Sequence, residues 1–165
     1  IAEGLAEQLK GDSDYKFIQD LRAYCEKKVG KLTFPDAILK RIMLANNQDK
    51  GEEFVDKNYE QSIKELTWHL IKEQLAQAHG IKVDDIDVRE SARQMARAQF
   101  AQYGMTNVPE DYLNGYADEM LKKRENIDSF VEAALDRKLA AAIKKVVKLN
   151  TKTVTLDEFN KLVSE

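Results

Sequence analysis

The chain has 165 residues, of which 43% are hydrophobic and 33% charged, and its formal net charge is −3. This length suffices for one domain with a buried core, and the slightly acidic balance excludes long-range attraction to nucleic acid or anionic lipid. No run approaches the ~18 apolar residues of a membrane span, and the 2 prolines and 7 glycines leave room for long helices in an all-α fold. The single cysteine, Cys25, cannot form an internal disulfide, which fits a cytoplasmic location.

The first helix is predicted over residues 1–29, where apolar side chains recur at spacings of three and four on both sides of Gly11. We expect one continuous helix, because a single interior glycine costs only about 1 kcal/mol relative to alanine. Since the pattern is already under way at Ile1, we also expect the sequence to be a fragment of a longer protein. Gly30 is the predicted stop, and an extended linker up to Pro35 follows. The predicted stripe consists of Ile1, Leu5, Leu9, Phe17, Ile18, Leu21, Tyr24, Cys25 and Val29.

Two helices are predicted in the next stretch, over residues 35–46 and 53–78. Proline suits a first helical turn, so Pro35 can start the shorter helix, and Gly80 can terminate the longer one. Trp68 is expected to be buried or half-buried because of its large apolar ring. The inward positions predicted for the two helices are Ile38, Leu39, Ile42 and Met43, then Tyr59, Ile63, Leu66, Leu70 and Leu75.

Two more helices are predicted on either side of a loop that contains Gly104. A short extended stretch, Ile81–Val83, precedes a helix that Asp84 or Asp87 can cap and that stops at Gly104. Pro109 can start the next helix. The inward positions predicted for these helices are Ile86, Val88, Ala92, Met95, Ala96, Gln99 and Phe100, then Tyr112, Leu113, Tyr116, Met120 and Leu121.

The last forty residues predict an Ala-rich amphipathic helix over 127–147, an extended stretch over 148–152, and a short helix over 155–163. Thr155 and Glu158 have the spacing of a capping box, which predicts that the short helix starts there. The buried stripe of the long helix is predicted to be Phe130, Val131, Ala134, Leu135, Leu139, Ile143, Val146 and Val147. Its solvated face is predicted to carry Asp136, Arg137, Lys138, Lys144 and Lys145.

Few residues point to catalysis or to metal binding. Glu65, His69 and Glu73 fall on one helical face, but no second ligand motif accompanies them, so a solvated polar face is the favoured interpretation. There is no glycine-rich phosphate loop and no set of residues for a nucleophilic triad. The basic clusters around Lys123 and Lys145 lack interleaved aromatic residues, which favours solvated helix faces over nucleic-acid binding. We expect no cofactor and no enzymatic activity.

Methionine and aromatic residues cluster around the helix end that precedes Gly104, in the stretch Met95–Met105. Such residues at helical spacing are usually core. Alternatively, methionine and aromatic side chains at an accessible helix tip form a pliable surface that adapts to many partners. The sequence leaves both interpretations open.

Several blocks of the sequence together resemble the C-terminal domain of trigger factor. Each block alone is a common helical pattern, but their order and spacing are more specific, and the resemblance covers nearly the whole chain. The blocks are Leu32–Leu39, Leu66–Glu73 followed by Ile81–Val83, Gln99–Gly104, and Ala142–Val147 with the Thr155–Phe159 helix.

Trigger factor is a bacterial ribosome-associated chaperone with a ribosome-binding part, a prolyl isomerase part and an all-helical C-terminal part. The resemblance implies one domain over residues 1–165 with an elongated multi-helix fold and protruding helical arms, of the trigger factor C-terminal and SurA-like type. The family's Gly-Phe-Arg-x-Gly-x-x-Pro ribosome-binding pattern and a β-rich isomerase domain do not occur in this sequence. We therefore expect neither activity from it.

The function that the resemblance implies is ATP-independent binding of exposed apolar segments of nascent or unfolded polypeptides. Ribosome contact would require another domain, contact with nucleic acid or membrane is not expected, and a homodimer is left open. A helical interaction module with one fixed protein partner is the alternative, and the breadth of binding would discriminate the two. The candidate client-binding residues are Met95, Phe100, Tyr103, Met105 and Tyr112.

Overall fold

The computed structural model describes residues 2–105 and 107–164, with side chains described from residue 9 to residue 162 except residue 106. This part of the chain forms seven α-helices and no strand, which confirms the predicted all-α fold. None of these helices combines the length and the apolar character needed to cross a membrane. The predicted inward positions Ile1 and Leu5 lie outside the described side chains. The helices are α1 (Ala2–Val29), α2 (Asp36–Asn46), α3 (Gly51–Ala78), α4 (Asp85–Gln102), α5 (Glu110–Leu121), α6 (Arg124–Ile143) and α7 (Leu156–Ser164).

The described residues divide into two compact units. Unit 1 contains the residues up to Gln19 and those from Ala76 onward, and unit 2 contains Asp20–Leu75. Each unit has buried apolar residues of its own. The expected organisation as one domain over residues 1–165 stays a prediction.

The predicted helix stops agree with the backbone geometry. Helix α1 is continuous through Gly11 and ends immediately before Gly30, as expected. At the end of α3, Gly80 has a φ of +63°, and the N–H of Ile81 donates to the carbonyl of Ala76 at 2.8 Å. This bond belongs to a Schellman motif, whose left-handed position favours glycine because a Cβ atom is strained there.

Unit 2 is built around α3, on which Val55, Tyr59 and Trp68 are buried. The burial of Tyr59 and Trp68 confirms two of the predictions. The guanidinium of Arg22 donates two hydrogen bonds to the Glu65 carboxylate, at 2.9 and 3.0 Å, and lies 6.0 Å from the centre of the Trp68 ring. Because both partners are charged and the pairing is bidentate, this is a comparatively strong link between α1 and α3.

Some inward positions predicted for unit 2 are wrong, because Tyr24 and Val29 of α1, Ile38 and Ile42 of α2, and Leu70 of α3 are exposed. Helix α2 buries none of its residues. The apolar period identifies the face of a helix that can be buried, but it does not say whether a neighbour covers the whole face.

Unit 1 contains three helices that pack against one another, α4, α5 and α6. Their shared core consists of Ala92 from α4, Ala117 from α5 and Phe130 from α6. The two alanines are fully buried, and their small side chains let the helix axes approach closely around the phenylalanine ring. Val88, Met120 and Leu121 pack against this core.

The start of α4 confirms a predicted cap and resolves a choice between two residues. Asp84 is the N-cap, and its carboxylate accepts a hydrogen bond from the N–H of Asp87 at 3.2 Å. The Asp87 carboxylate accepts in return from the N–H of Asp84 at 3.1 Å, which completes a capping box. The second predicted capping box is also present, because the Glu158 carboxylate accepts from the N–H of Thr155 at 2.9 Å.

Helix α6 differs from its prediction at its C-terminal end. It ends at Ile143 rather than at Val147, and Val146 and Val147 are exposed instead of buried. Ile86, a predicted inward residue of α4, is exposed as well. The apolar period of the sequence can continue past the end of a helix, whereas a residue is buried only where another element packs against it.

Part of the predicted solvated face of α6 is also wrong, because two of its cations are half-buried and bonded to α4 or to the loop before it. The Lys138 ammonium bonds to the Asp87 carboxylate and donates to the Lys82 carbonyl at 2.7 Å. Arg137 donates to the Asp87 carbonyl at 3.3 Å. The Lys138 ammonium is the main cause that lowers the pKa of Asp87, with the Asp84 N–H as the second. These lysine and arginine side chains therefore fix α6 against the start of α4.

Candidate functional site

The candidate site lies where α4 ends and α5 begins. Gly104 has a φ of +77°, and the N–H groups of Gly104 and Met105 donate to the carbonyls of Ala101 and Phe100 at 2.9 and 3.0 Å. These two bonds form a complete Schellman motif that ends the helix and reverses the chain. The motif therefore determines where Tyr103 and Met105 stand relative to the last turn of α4.

Four of the five predicted client-binding residues are exposed at this end of the hairpin. The exposed fractions are 79% for Tyr103, 72% for Tyr112, 51% for Met105 and 47% for Met95. The interpretation of the Met95–Met105 stretch as core is therefore wrong for Met95, Tyr103 and Met105, and the inward position predicted for Tyr112 is wrong as well. We call them, together with Phe100, the α4–α5 tip.

Phe100 differs from the other four residues of the tip because it is half-buried. Its ring centre lies 5.3 Å from that of Tyr116 on α5, with the ring planes tilted by 60°. Tyr116 also donates its hydroxyl to Gln99 at 2.8 Å. Phe100 thus joins α4 to α5 and supports the tip, and it offers only part of its ring to a partner.

Tyr116 also belongs to this surface, although the candidate residues predicted from the sequence do not include it. It was expected to be inward, yet it is partly exposed and holds Phe100 in place. Its spacing of four residues from Tyr112 places both tyrosines on one helical face, and this was the available sequence signal. Only the structure identifies the face of α4 that meets it.

The charged side chains beside the tip pair with one another. Glu110 at the start of α5 bonds to Arg93 and, at 2.5 Å, to Arg97 of α4. Hydrogen bonds from Arg97 and then from Arg93 lower the pKa of Glu110, because they stabilise its ionised form. Further along the hairpin, Arg89 lies 2.8 Å from Asp118. These pairs hold α5 against α4 and leave methionine, tyrosine and amide side chains at the tip.

The cluster of acidic and histidine residues on α3 behaves as a polar face. Glu65 is engaged by Arg22 and accepts from Gln61 at 2.7 Å, while His69 lies 3.6 Å from Glu73. The hydrogen bond from Arg22 is the main cause that lowers the pKa of Glu65. Within the described ranges, no group of three or more His, Cys, Asp or Glu side chains is arranged to hold a metal ion.

The fold and this surface define a class of protein: an all-helical domain with exposed apolar side chains at the tip of a helical hairpin. Residues 13–163 match a family model described as "Probable trigger factor, C-terminal domain". The chain belongs to this family. Searches of curated proteins and of solved structures returned no match.

Membership of this family indicates a chaperone-type function, with nascent or unfolded polypeptides as partners. The matched family is the chaperone-related C-terminal part of trigger factor and not its isomerase domain. The resemblance inferred from the sequence blocks is thereby confirmed.

Proposed function

We propose that this chain binds exposed apolar segments of unfolded or nascent polypeptides without ATP, and that the α4–α5 tip is part of the contact surface. The observation that carries the proposal is the exposure of Met95, Tyr103, Met105 and Tyr112 beside charges that already pair with one another. A partner can cover these four side chains without breaking an ion pair of the hairpin.

The composition of the tip suits partners of varied sequence. Methionine is flexible and polarisable, and tyrosine offers a large apolar ring with a polar end, so both adapt to different neighbours. Fully burying one such side chain contributes roughly 1.5–3 kcal/mol relative to exposure. A few partial contacts of this kind give weak and reversible binding, which a chaperone needs if it is to release its client.

The test is suppression of aggregation by a variant in which Met95, Tyr103, Met105 and Tyr112 are each changed to glutamine. We expect weaker suppression of light scattering for several unrelated unfolded proteins, because the apolar contact area at the tip is lost. Phe100 is left intact because it links α4 to α5. The thermal midpoint should stay within a few degrees of the original, since exposed positions usually contribute less than about 0.5 kcal/mol each.

A matched control changes three exposed apolar residues of unit 2 to glutamine: Tyr24, Ile38 and Ile42. If the tip is the contact surface, this control should suppress aggregation almost as well as the original chain. Equal loss in both variants, or undiminished suppression by a folded tip variant, would contradict the assignment. A module with one fixed partner would instead protect a single protein and fail with the others.

A further inference from the structure

The apolar stripe of α6 continues in sequence beyond the end of the helix. Ile143 is buried, whereas Val146, Val147 and Leu149 are 64%, 42% and 47% exposed. The helix gives way to a turn in which the N–H groups of Lys145 and Val146 donate to the carbonyls three residues earlier, at 3.2 and 3.0 Å. The three aliphatic side chains thus form a small apolar surface that the fold leaves uncovered.

The same segment carries charge of one sign only. Lys145, Lys148 and Lys152 are exposed, and residues 145–156 contain no carboxylate. Within the described part of the chain, none of these three lysines forms an ion pair with another side chain. A chain whose formal net charge is −3 therefore has a locally positive apolar surface here. We call residues 145–154 the basic segment.

The basic segment is held at both ends and has free backbone groups between them. Before it, the Lys144 ammonium bonds to the Asp14 carboxylate of α1. After it, the capping box of Thr155 and Glu158 starts α7. Among the described residues, no N–H of residues 148–154 donates to a backbone carbonyl. An extended partner can therefore pair with these main-chain groups, as in strand addition.

We propose that the basic segment binds unfolded polypeptide segments in which carboxylates stand next to apolar side chains. The exposed lysines would pair with the carboxylates, Val146, Val147 and Leu149 would contact the apolar side chains, and the free amides would bond the partner's main chain. This inference rests on the proposed function and names a client class for a second surface, separate from the tip.

A polypeptide fits this surface better than RNA or a lipid headgroup does. The segment contains no aromatic ring on which a base could stack. The helix that follows it begins with Asp157 and Glu158, which an anionic membrane surface would repel. An acidic peptide can avoid both carboxylates because it needs to follow only the ten residues of the segment itself.

The experiment measures fluorescence anisotropy of the 165-residue chain with three short labelled peptides. The first peptide contains leucine, valine and aspartate, and in the other two every aspartate is replaced by asparagine or by lysine. We expect the aspartate peptide to bind about tenfold more tightly than the asparagine peptide, because three exposed ion pairs together give roughly that factor. Raising the salt concentration should reduce the difference, since exposed charges are screened.

Two variants test whether the lysines of the basic segment cause the preference for the aspartate peptide. Lys145→Gln/Lys148→Gln/Lys152→Gln should remove the advantage of the aspartate peptide and leave binding of the asparagine peptide unchanged. The matched control, Lys122→Gln/Lys123→Gln/Arg124→Gln, removes an exposed cationic trio next to the start of α6 and should preserve the advantage. Circular dichroism should show the original helix content in both, because the basic segment lies outside the helices and the control changes only exposed side chains before α6 and at its first residue.

Equal binding of the aspartate and asparagine peptides, or an advantage that survives in the first variant or disappears in the control, would overturn the proposal. Lysine-dependent binding of anionic vesicles or of single-stranded RNA without preference for the aspartate peptide would overturn it too. Failure of the tip variant to weaken aggregation suppression would bear on the proposed function alone, because these peptide measurements do not involve the tip.

Discussion

The Tyr59 hydroxyl donates a hydrogen bond to the Asp36 carboxylate at 2.6 Å. Burial and the nearby carboxylate raise the pKa of Tyr59 to about 12, whereas an unfolded chain releases this proton near pH ~10. Since the folded pKa is the higher one, the stabilisation is fully present below pH ~10 and is lost as the pH rises towards 12. The free energy of unfolding should therefore fall across this window more steeply than in Tyr59→Phe, which cannot ionise there.

The tyrosine titration provides an independent check of that prediction. The chain has 6 tyrosines, and Tyr59 should contribute a late step towards pH 12 in the ultraviolet absorbance of tyrosinate. In Tyr59→Phe the late step should be missing. Parallel pH profiles of unfolding for the two proteins would show that the hydrogen bond to Asp36 does not persist in solution.

Gly104 and Gly11 should respond to alanine with opposite signs. A Cβ atom at either position meets no atom within 4 Å, so backbone conformation decides the outcome. Gly104 has a φ of +77°, where alanine is strained by roughly 1–2 kcal/mol. Gly11 lies inside α1, where alanine is favoured by up to about 1 kcal/mol. Denaturant unfolding should show a loss of stability for Gly104→Ala and a gain for Gly11→Ala, and two changes of the same sign would contradict this account.

At the scale of the element, the capping box of α4 allows a direct test. Asp84→Ala should destabilise unit 1 by about 1 kcal/mol, because an N–H at the helix start loses its acceptor. The Asp87 carboxylate should keep its hydrogen bond from the N–H of residue 84, because that donor belongs to the main chain. The control is Asp85→Ala, one residue later, whose side chain makes no capping bond. Denaturant unfolding should show the larger cost for Asp84→Ala, and equal costs would indicate a general effect of charge near the helix start.

The limits of the seven helices could be predicted more accurately than their exposed faces. Glycine and proline act locally, and a capping box needs only two side chains three residues apart, so Gly80, Gly104, Pro109 and Thr155 were informative in the sequence alone. The end of α6 was misplaced because Val146 and Val147 continue the apolar period beyond the last packed turn. Burial depends on neighbours that are distant in sequence, and the period carries no information about them.

The candidate surface shows the same contrast between helix ends, which the sequence predicts, and exposed faces, which it does not. The sequence indicated a methionine and aromatic cluster, and the stop at Gly104 indicated that it stands at a helix end. It did not distinguish core from surface, because that depends on which face of α5 meets α4. Phe100 turned out to support the hairpin through Tyr116, while Tyr103 and Met105 extend beyond it. The end of α4 is a local feature and could be predicted from the sequence. The pairing of the α4 and α5 faces is a tertiary feature and could not.

At the scale of the whole molecule, unit 1 carries the two proposed contact surfaces at different ends of α4. The bond between Lys138 and Asp87 places the last turns of α6 beside the start of α4, and the basic segment begins two residues after α6 ends. The α4–α5 tip lies at the other end of this helix, which has 18 residues and therefore a length of about 27 Å. The two surfaces also differ in chemistry, since the exposed lysines of the basic segment form no ion pair among the described residues, whereas Arg93, Arg97 and Glu110 beside the tip pair with one another.

This separation predicts that the two surfaces act independently in binding short peptides. Effects of changes more than about 10 Å apart usually add within about 0.5 kcal/mol. The basic-segment variant, with Lys145, Lys148 and Lys152 changed to glutamine, should thus lose the same factor of affinity for the aspartate peptide whether or not the four tip residues are also changed to glutamine. Anisotropy titrations of the four proteins with the aspartate peptide measure this directly. If the tip variant alone weakens binding of the aspartate peptide, that peptide contacts both ends of α4, and the two surfaces would be one site.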